Sequence, residues 1–148
     1  SALRSLLAVL LLLATLPAFA PAVDADDIVG TWLTGNKDGH VQILKQGDRY
    51  VGRLTWGKNL NDPATGKPKL DTKNPDESLR ARSLLNLPLM SGFKHAGGTV
   101  WDDGKIYDPE SGKTYSCKLT LKNPNTLDVR GFIGFSLIGR TQTWTRVK

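Results

Sequence analysis

Apolar residues occur along this chain in short runs that alternate with polar positions and are separated by Gly, Asn, Asp and Pro. Runs of this length, rich in β-branched and aromatic residues and bounded by turn-forming residues, are typical of β-strands. About eight strands are predicted, at residues 27–34, 40–45, 49–56, 87–94, 98–102, 113–121, 126–134 and 139–147. Residues 104–108 either form a further short strand or extend the one before them.

Short turns join most of the predicted strands. The sequences Gln-Gly-Asp at 46–48 and Lys-Asn-Pro-Asn at 122–125 are both typical of tight hairpins. Consecutive strands joined in this way form an antiparallel meander. In a chain of this size a meander closes most economically into a barrel, because closure removes exposed sheet edges. The fold class is therefore predicted as all-β, an about eight-stranded antiparallel up-and-down barrel, with a sandwich of two sheets as the alternative.

Residues 58–86 interrupt this rhythm with a polar, Pro-rich connection. Asn74 has the character of a helix N-cap, Pro75 suits the first helical position, and Glu77 suits the third. The pattern predicts one short helix in this connection, from about Pro75 to Leu85, ended by the Asn-Leu-Pro sequence that follows. A long connection of this kind either covers one mouth of the barrel or plugs the core with its leucines.

The N-terminal residues have the organisation of a secretory signal peptide. Arg4 precedes a Leu-rich apolar run, and small residues follow, which is the order of regions in such a signal. We expect residues 1–22 to be removed by a cut after Ala22 or Ala25, which leaves residues 23–148 as a single domain. The apolar run is shorter than the roughly 20 residues of a membrane-spanning helix. We therefore expect a periplasmic or secreted protein with no stable membrane anchor after cleavage.

The charge of the chain gives little reason to expect a nucleic-acid partner. The formal net charge is +6 over 148 residues, but the basic residues are scattered and form no block of five or more like charges. A nucleic-acid-binding protein is expected to carry a basic stripe or patch. A solvated basic surface is the simpler interpretation.

The sequence contains no constellation that is typical of an enzyme. Cys117 is the only cysteine and lies in a strand-like run, where a cysteine is usually a small buried hydrophobic residue. The only histidines are His40 and His95, and none of the His-x-x-x-His, Gly-x-Ser-x-Gly or Gly-x-Gly-x-x-Gly patterns occurs. We expect no enzymatic activity, and hence no catalytic residues, no cofactor and no metal ligands.

One short pattern, Asp-Pro-x-[Ser/Thr]-Gly-Lys, occurs twice, at residues 62–67 and 108–113. The second copy ends in Gly-Lys-Thr, as a phosphate-binding P-loop does, but Tyr107 stands where that loop requires its first Gly. The residues that follow also form a predicted strand, whereas a P-loop leads into a helix. Asp, Pro and Gly each have a defined role in a tight turn. The pattern therefore predicts the same turn made twice.

Gly30 and Trp32 in the first predicted strand, together with an arginine on the last, resemble the calycin superfamily of lipocalins, fatty-acid-binding proteins and avidins. The resemblance implies that Trp32 closes one end of the barrel and that the arginine packs across its ring. Such a pair is a favourable cation–π contact. Arg146 is the first candidate for barrel closure, and Arg140 is the second.

A second resemblance covers nearly the whole chain after the signal peptide. The segments DIVGTWLT, NDPATGKPKLDTKNPDESLRAR, GKIYDPESGKTYSCKLTL and RGFIGFSLIGRTQTWTR occur in this order. Together they resemble the bacterial family catalogued as domain of unknown function 2147. The resemblance implies an exported protein with a lipocalin-like barrel, and it implies no particular biochemical activity.

Two classes of function are compatible with such a barrel. In the first, the barrel binds a small hydrophobic or amphiphilic molecule, and the candidate ligand-binding residues are Trp32, Tyr50, Trp56, Trp101, Tyr115, Arg140 and Trp144. The same aromatic residues would equally fill the interior of a barrel that binds nothing. In the second class, the protein is an interaction or assembly module of the cell envelope, for example a homodimer, that uses the apolar segment 131–140.

The last predicted strand indicates which ligand would suit the interior. Strand alternation places Arg140, Gln142, Trp144 and Arg146 on one face. If this face points inward, the interior contains polar groups that favour an anionic head group. A fatty acid or a similar amphiphile is then the expected kind of ligand.

Overall fold

The strands form where apolar and polar positions alternate, because successive side chains of a strand point to opposite faces of the sheet. The computed structural model describes residues 11, 12, 14, 22–135 and 137–148. Its strands are β1 (Gly30–Leu33), β2 (Gly39–Gln46), β3 (Arg49–Gly57), β4 (Pro88–Gly97), β5 (Val100–Asp108), β6 (Lys113–Asn123), β7 (Thr126–Phe132) and β8 (Gly139–Arg146). Residues 104–108 thus extend β5 and form no separate strand.

Apart from residues 11, 12, 14 and 22, the predicted signal peptide lies outside the described residues. Across the residues that are described, no helix is long and apolar enough to cross a membrane. The expected cleavage sites, after Ala22 or Ala25, lie at the start of the continuously described chain, immediately before and within its first turn.

The eight strands pair in chain order into a closed antiparallel barrel, so the predicted fold class is confirmed. Each strand pairs with its neighbours in sequence, and β1 returns to β8 through the pairs Trp32–Arg146 and Leu33–Thr145. Because consecutive strands run in opposite directions, the connections between them alternate between the two ends of the barrel. The lower end carries the β2–β3, β4–β5 and β6–β7 turns, the start of β1 and the finish of β8, and the upper end carries the other hairpins and the long connection.

A single 3₁₀ turn at Ala25–Ile28, the N-terminal turn, lies at the lower end. It begins with reciprocal capping, since the Asp24 carboxylate accepts from the backbone N–H of Asp26 at 3.1 Å and the Asp27 carboxylate accepts from that of Asp24 at 2.9 Å. The Tyr50 hydroxyl, from inside the barrel, donates to the Asp26 carboxylate at 2.5 Å. Burial and this carboxylate both raise the pKa of Tyr50, so the phenol stays protonated as the donor.

Two buried indoles fasten the N-terminal turn to the barrel. The Trp32 indole N–H donates to the carbonyl of Ile28 at 2.9 Å, and that of Trp101 donates to the carbonyl of Ala25 at 3.0 Å. An indole N–H removed from water needs an acceptor. The turn therefore supplies the acceptors that allow two large aromatic side chains to fill the lower barrel.

The Arg146 side chain seals the seam between the first and last strands. Its guanidinium carbon lies 4.4 Å from the centre of the Trp32 ring, within the range of a cation–π contact. The same group donates to three backbone carbonyls, those of Asp27 at 2.6 Å, Val29 at 2.9 Å and Pro124 at 2.8 Å. A Cβ at Gly30 would lie only 2.6 Å from this guanidinium, so the glycine is needed for its approach. Arg140 lies at the opposite end of β8.

The predicted helix from about Pro75 to Leu85 is wrong. The long connection contains only a three-residue 3₁₀ turn, Glu77–Leu79, which is capped by Asp76. Beyond this turn the backbone bonds across the connection, and the N–H of Leu84 donates to the carbonyl of Lys69 at 2.9 Å. A backbone N–H used in this way is not available to a helix. The capping residues thus correctly indicate that a helical turn forms in this part of the connection, but they do not determine how far the helical structure continues.

The two Asp-Pro-x-[Ser/Thr]-Gly-Lys segments form the same turn, as predicted. In each, the Asp side chain accepts from the backbone N–H two residues on, at 2.8 Å for Asp62 and 3.0 Å for Asp108. The backbone carbonyl of the same Asp accepts from the glycine N–H, at 2.7 Å for Gly66 and 2.8 Å for Gly112. The two glycines have φ of +69° and +73°. The surroundings differ, because a Cβ at Gly112 would overlap the Lys73 carbonyl of the long connection, whereas Gly66 has open space.

This contrast predicts unequal costs for the same substitution. Gly66→Ala should lower the free energy of unfolding by about 1 kcal/mol, the cost of a left-handed alanine. Gly112→Ala should cost roughly 3 kcal/mol, since it also displaces the long connection from the β5–β6 hairpin. Urea unfolding of the two variants and the parent measures the difference. Equal losses would mean that the hairpin and the connection are not held together.

Candidate functional site

Most of the barrel interior is occupied by side chains. The buried apolar residues form one cluster: Ile28, Trp32, Val41, Ile43, Tyr50, Met90, Phe93, Trp101, Cys117, Leu119, Leu121, Leu127, Val129 and Trp144. Packing is dense, and the Phe93 ring occupies the space that a side chain at Gly104 would need. The lower barrel is therefore filled by packed side chains.

A cavity of about 650 Å³ occupies the upper end, between β5–β6 and β7–β8. Strand alternation directs Tyr115 and Arg140 to the same inner face as Val129 and Trp144. Trp144 and Val129 are buried and form the floor of the cavity. The other lining residues are Ile106, Tyr107, Asp108, Pro109, Gly131, Phe132, Ile133, Ile138 and Gln142. We call this space the mouth cavity.

Arg140 is the cation of the mouth cavity. Within the described part of the chain, its side chain makes no hydrogen bond and no ion pair. The acidic residue of the lining, Asp108, uses its carboxylate inside its own turn, where it accepts from the N–H of Glu110 at 3.0 Å and the hydroxyl of Ser111 at 2.8 Å. The guanidinium is therefore free to bind an anion.

The structure divides the predicted ligand-binding residues between three places. The mouth cavity contains Tyr115, Arg140 and Trp144. The packed lower interior contains Trp32, Tyr50 and Trp101. Trp56 is 42% exposed and contacts the His40 ring at a tilt of 47°, with ring centroids 4.7 Å apart. These side chains therefore do not form one site.

Sequence reasoning missed a buried carboxylate that positions one wall of the mouth cavity. Asp71, in the long connection, is fully buried. It accepts from the Tyr107 hydroxyl at 2.6 Å, from the Asn74 side-chain amide at 2.9 Å and from the Arg82 guanidinium at 2.9 Å. Because Tyr107 is on β5, this network ties the connection to the hairpin that lines the cavity. Nothing in the polar run around Asp71 marks it as buried.

The protonation states of this network are well defined at neutral pH. Burial opposes ionisation of Asp71, but hydrogen bonds from Tyr107, Asn74 and Arg82 outweigh it and hold the pKa of its carboxyl below the usual value. Burial and the Asp71 carboxylate together raise the pKa of Tyr107 to about 12. Tyr107 thus stays a donor and Asp71 an acceptor.

A larger groove, of about 790 Å³, runs along the long connection outside the barrel. Lys67, Lys69 and Lys73 line it, but so do the carboxylates of Asp62 and Glu110. Its walls are exposed connecting residues of mixed charge, and it has no buried aromatic floor. The mouth cavity is therefore the stronger candidate site.

Two observations concern the chemistry of the described side chains. Burial raises the pKa of the Cys117 thiol to about 12, so this side chain is not a nucleophile at neutral pH. Among the side chains that the structure describes, no group of three or more His, Cys, Asp or Glu is arranged to hold a metal ion. The mouth cavity offers apolar contact together with the guanidinium of Arg140.

A closed eight-stranded meander, an arginine stacked on the first-strand tryptophan and an open upper mouth define a lipocalin-like barrel. The chain belongs to the family described as uncharacterized protein conserved in bacteria, DUF2147, whose model matches residues 30–146. The family resemblance of the sequence is thus confirmed.

A solved structure shares this fold. It is that of protein HP1028 from the human pathogen Helicobacter pylori, which belongs to the lipocalin family. The TM-score is 0.70 at 22% sequence identity, over 81% of this chain and 82% of that chain. At this identity the likeness shows the fold alone. No curated protein matches the chain significantly.

The Asp71 network predicts an acid-dependent loss of stability. Asp71→Asn should lower the free energy of unfolding by about 1–3 kcal/mol at neutral pH, because an amide N–H₂ then faces existing donors. The folded pKa of Asp71 lies below its ordinary value of 3.8. Its ionised form therefore stabilises the fold above that pH, and this contribution is lost as the pH falls through the folded pKa.

The contribution of Asp71 to stability is measured by urea unfolding of the parent and of Asp71→Asn at acidic and neutral pH. The difference between the two unfolding free energies should stay constant above about pH 5 and shrink in acid. Asp103→Asn is the matched control, since the Asp103 side chain is exposed and makes no ion pair among the described groups. A difference that did not change with pH would contradict the assignment.

Proposed function

We propose that this protein is a non-catalytic binding protein for a small amphiphile with an anionic head group. The observation that carries the proposal is Arg140, a cation with no protein partner among the described residues, at the rim of an apolar cavity. Its guanidinium suits a carboxylate or phosphate, which it can bind through two parallel hydrogen bonds. A cavity of about 650 Å³ is within the usual range of roughly 300–1,000 Å³ for small-molecule sites.

The depth of the cavity limits how the ligand would lie. Trp144 and Val129 are buried beneath it, and the interior below them is packed. The apolar part of the ligand would therefore rest on this floor between Tyr115 and Ile106, with its head group at Arg140. A long chain would not fit wholly inside the barrel, and its remainder would project from the mouth.

The head-group assignment predicts a charge-selective loss of affinity. Arg140→Gln should weaken decanoate binding by about tenfold, the value of one charge-assisted hydrogen bond, and should leave decanol binding nearly unchanged. Displacement of the fluorescent amphiphile anilinonaphthalene sulfonate measures both ligands. Arg53→Gln is the matched control, because Arg53 is exposed on β3 and away from the cavity. Equal weakening of acid and alcohol would contradict the assignment.

A variant that fills the mouth cavity tests whether the ligand binds there. A Cβ at Gly131 would meet Ile106 and Tyr115 only at 3.8 Å, an ordinary contact, at a backbone conformation that any residue adopts. Gly131→Leu should therefore fill the mouth cavity, leave the barrel folded and abolish the binding of both ligands. Unchanged binding in this variant would place the ligand elsewhere.

A second candidate function is that of an interaction or assembly module. The specific observation in its favour is the exposure of the β7–β8 hairpin, where Ile133, Phe135, Leu137 and Ile138 are each at least 69% exposed. Apolar surface of this kind commonly marks an interface. A concentration-dependent homodimer in analytical ultracentrifugation would support this alternative.

We also infer that the protein is exported to the periplasm or beyond, on the strength of the N-terminal signal pattern. Between the two cleavage sites, the cut after Ala22 is favoured by the contacts of the N-terminal turn. Asp24 caps that turn, and the Ala25 carbonyl accepts from the Trp101 indole. A cut after Ala25 would remove both the cap and the acceptor.

The exported protein should therefore begin at Val23. Intact-mass measurement of protein recovered from the periplasm or medium of a bacterial host checks this. A chain that begins at Asp26 would contradict the inference, and a chain that retains residues 1–22 inside the cell would contradict export itself.

A further inference from the structure

The β7–β8 hairpin exposes a group of large apolar side chains next to the mouth cavity. Their exposed fractions are 70% for Ile133, 77% for Phe135, 90% for Leu137 and 69% for Ile138. We call these four residues the apolar tip. Single exposed apolar residues are normal, but such a cluster on one turn is a mark of contact with another surface.

The form of the apolar tip suits a fluid surface. The tip is the turn of the β7–β8 hairpin, and its four side chains stay largely exposed, although Ile133 and Ile138 also border the mouth cavity. Its turn is closed by its own backbone, with the N–H of Ile138 donating to the carbonyl of Phe135 at 3.0 Å and the N–H of Ile133 donating to the carbonyl of Ile138 at 3.4 Å. Backbone groups paired internally lower the cost of leaving water for an apolar phase.

The cations beside the tip favour an anionic surface, since Asp108, which also lines the mouth cavity, uses its carboxylate within its own turn. No acidic residue occurs from Val129 to the end of the sequence at Lys148. Arg140 lies two residues after the tip, and its side chain is without a protein partner among the described residues. Lys113 stands at the same end of the barrel, because β6 and β7 pair up to Ser116–Phe132 and Lys113 lies three residues further up β6. Apolar side chains beside cations are typical of segments that insert into the interface of anionic lipids.

The tip is also continuous with the candidate ligand site. Ile133 and Ile138 line the mouth cavity together with Arg140. We propose that the apolar tip inserts into the surface of an anionic lipid bilayer, so that the mouth cavity opens against the membrane and exchanges its amphiphile with it without crossing water. The identity of the cargo rests on the proposed function, whereas the contact with lipid does not and can be measured alone.

Labels at the two ends of the barrel test the orientation. Leu137→Cys marks the tip, and Asp48→Cys marks the β2–β3 turn at the lower end, where the N-terminal residues enter. Cys117 is buried, so it does not compete for the label. With an environment-sensitive fluorophore on the chain that begins at Val23, the label at position 137 should shift to the blue on vesicles of phosphatidylcholine containing phosphatidylglycerol. The label at position 48 should not shift.

Other outcomes would overturn the proposal. A shift at position 48 alone would mean that the chain is held at the membrane by its lower end. A shift at position 137 that needs no vesicles and grows with protein concentration would mean that a second copy of the chain covers the tip. An equal shift on vesicles of phosphatidylcholine alone would contradict the role of Arg140 and Lys113.

Double substitutions measure how much the apolar tip contributes to the affinity for anionic vesicles. The double variant Phe135→Ser, Leu137→Ser should bind the anionic vesicles at least about tenfold more weakly, because each replacement removes a large apolar side chain from the lipid. The control is Trp56→Ser, Leu70→Ser, which removes exposed apolar side chains outside the tip. Neither pair lines the mouth cavity, so both variants should bind anilinonaphthalene sulfonate in solution as the parent does.

These measurements separate the two proposals. Gly131→Leu should still bind vesicles through the tip although its cavity is filled. Vesicle binding with no amphiphile binding in the parent would refute the ligand and keep the lipid contact. Amphiphile binding with no effect of the tip variant on vesicle binding would refute the lipid contact and keep the ligand.

Discussion

The stack of the Arg146 guanidinium on the Trp32 indole is the interaction on which the closed barrel depends. β1 and β8 meet through only two residue pairs, fewer than any other neighbouring strands. Arg146 reinforces this thin seam, because its remaining donors reach the carbonyls of Asp27, Val29 and Pro124. A lysine offers donors but no planar group to lie on the ring. One side chain thus joins the N-terminal turn, the first strand and the β6–β7 turn.

The features of the fold that could be predicted from the sequence are those that depend on residues close together along the chain. The strands and hairpins were predictable, since alternation and turn residues act within a few positions of one another. The closing arginine was predictable as a choice between Arg146 and Arg140. The predicted helix from Pro75 to Leu85 failed for a different reason. Its capping residues are local, but the bond from Leu84 to Lys69 that replaces the helix spans 15 positions along the chain.

The candidate site was predictable only in part, because alternation separates inside from outside but says nothing about height within the barrel. Trp32 and Trp144 share the inward direction and the same core, yet Trp32 is bonded to the N-terminal turn at the lower end, whereas Trp144 also lines the mouth cavity. Asp71 was not predictable at all. Its burial depends on three donors that the fold brings to it, among them Tyr107, which lies 36 positions away.

In β7 and β8, the lower residues contribute to the core, whereas the upper residues belong to the candidate functional surface. In their lower parts, Leu127 and Trp144 are buried and belong to the core. In their upper parts, Phe135 and Leu137 remain largely in water, so they add little to the free energy of folding and raise the risk of aggregation. Folding alone does not account for large apolar side chains at these positions. Their cost is offset if another apolar surface receives them, and the proposed insertion into an anionic bilayer would also give Arg140 a partner.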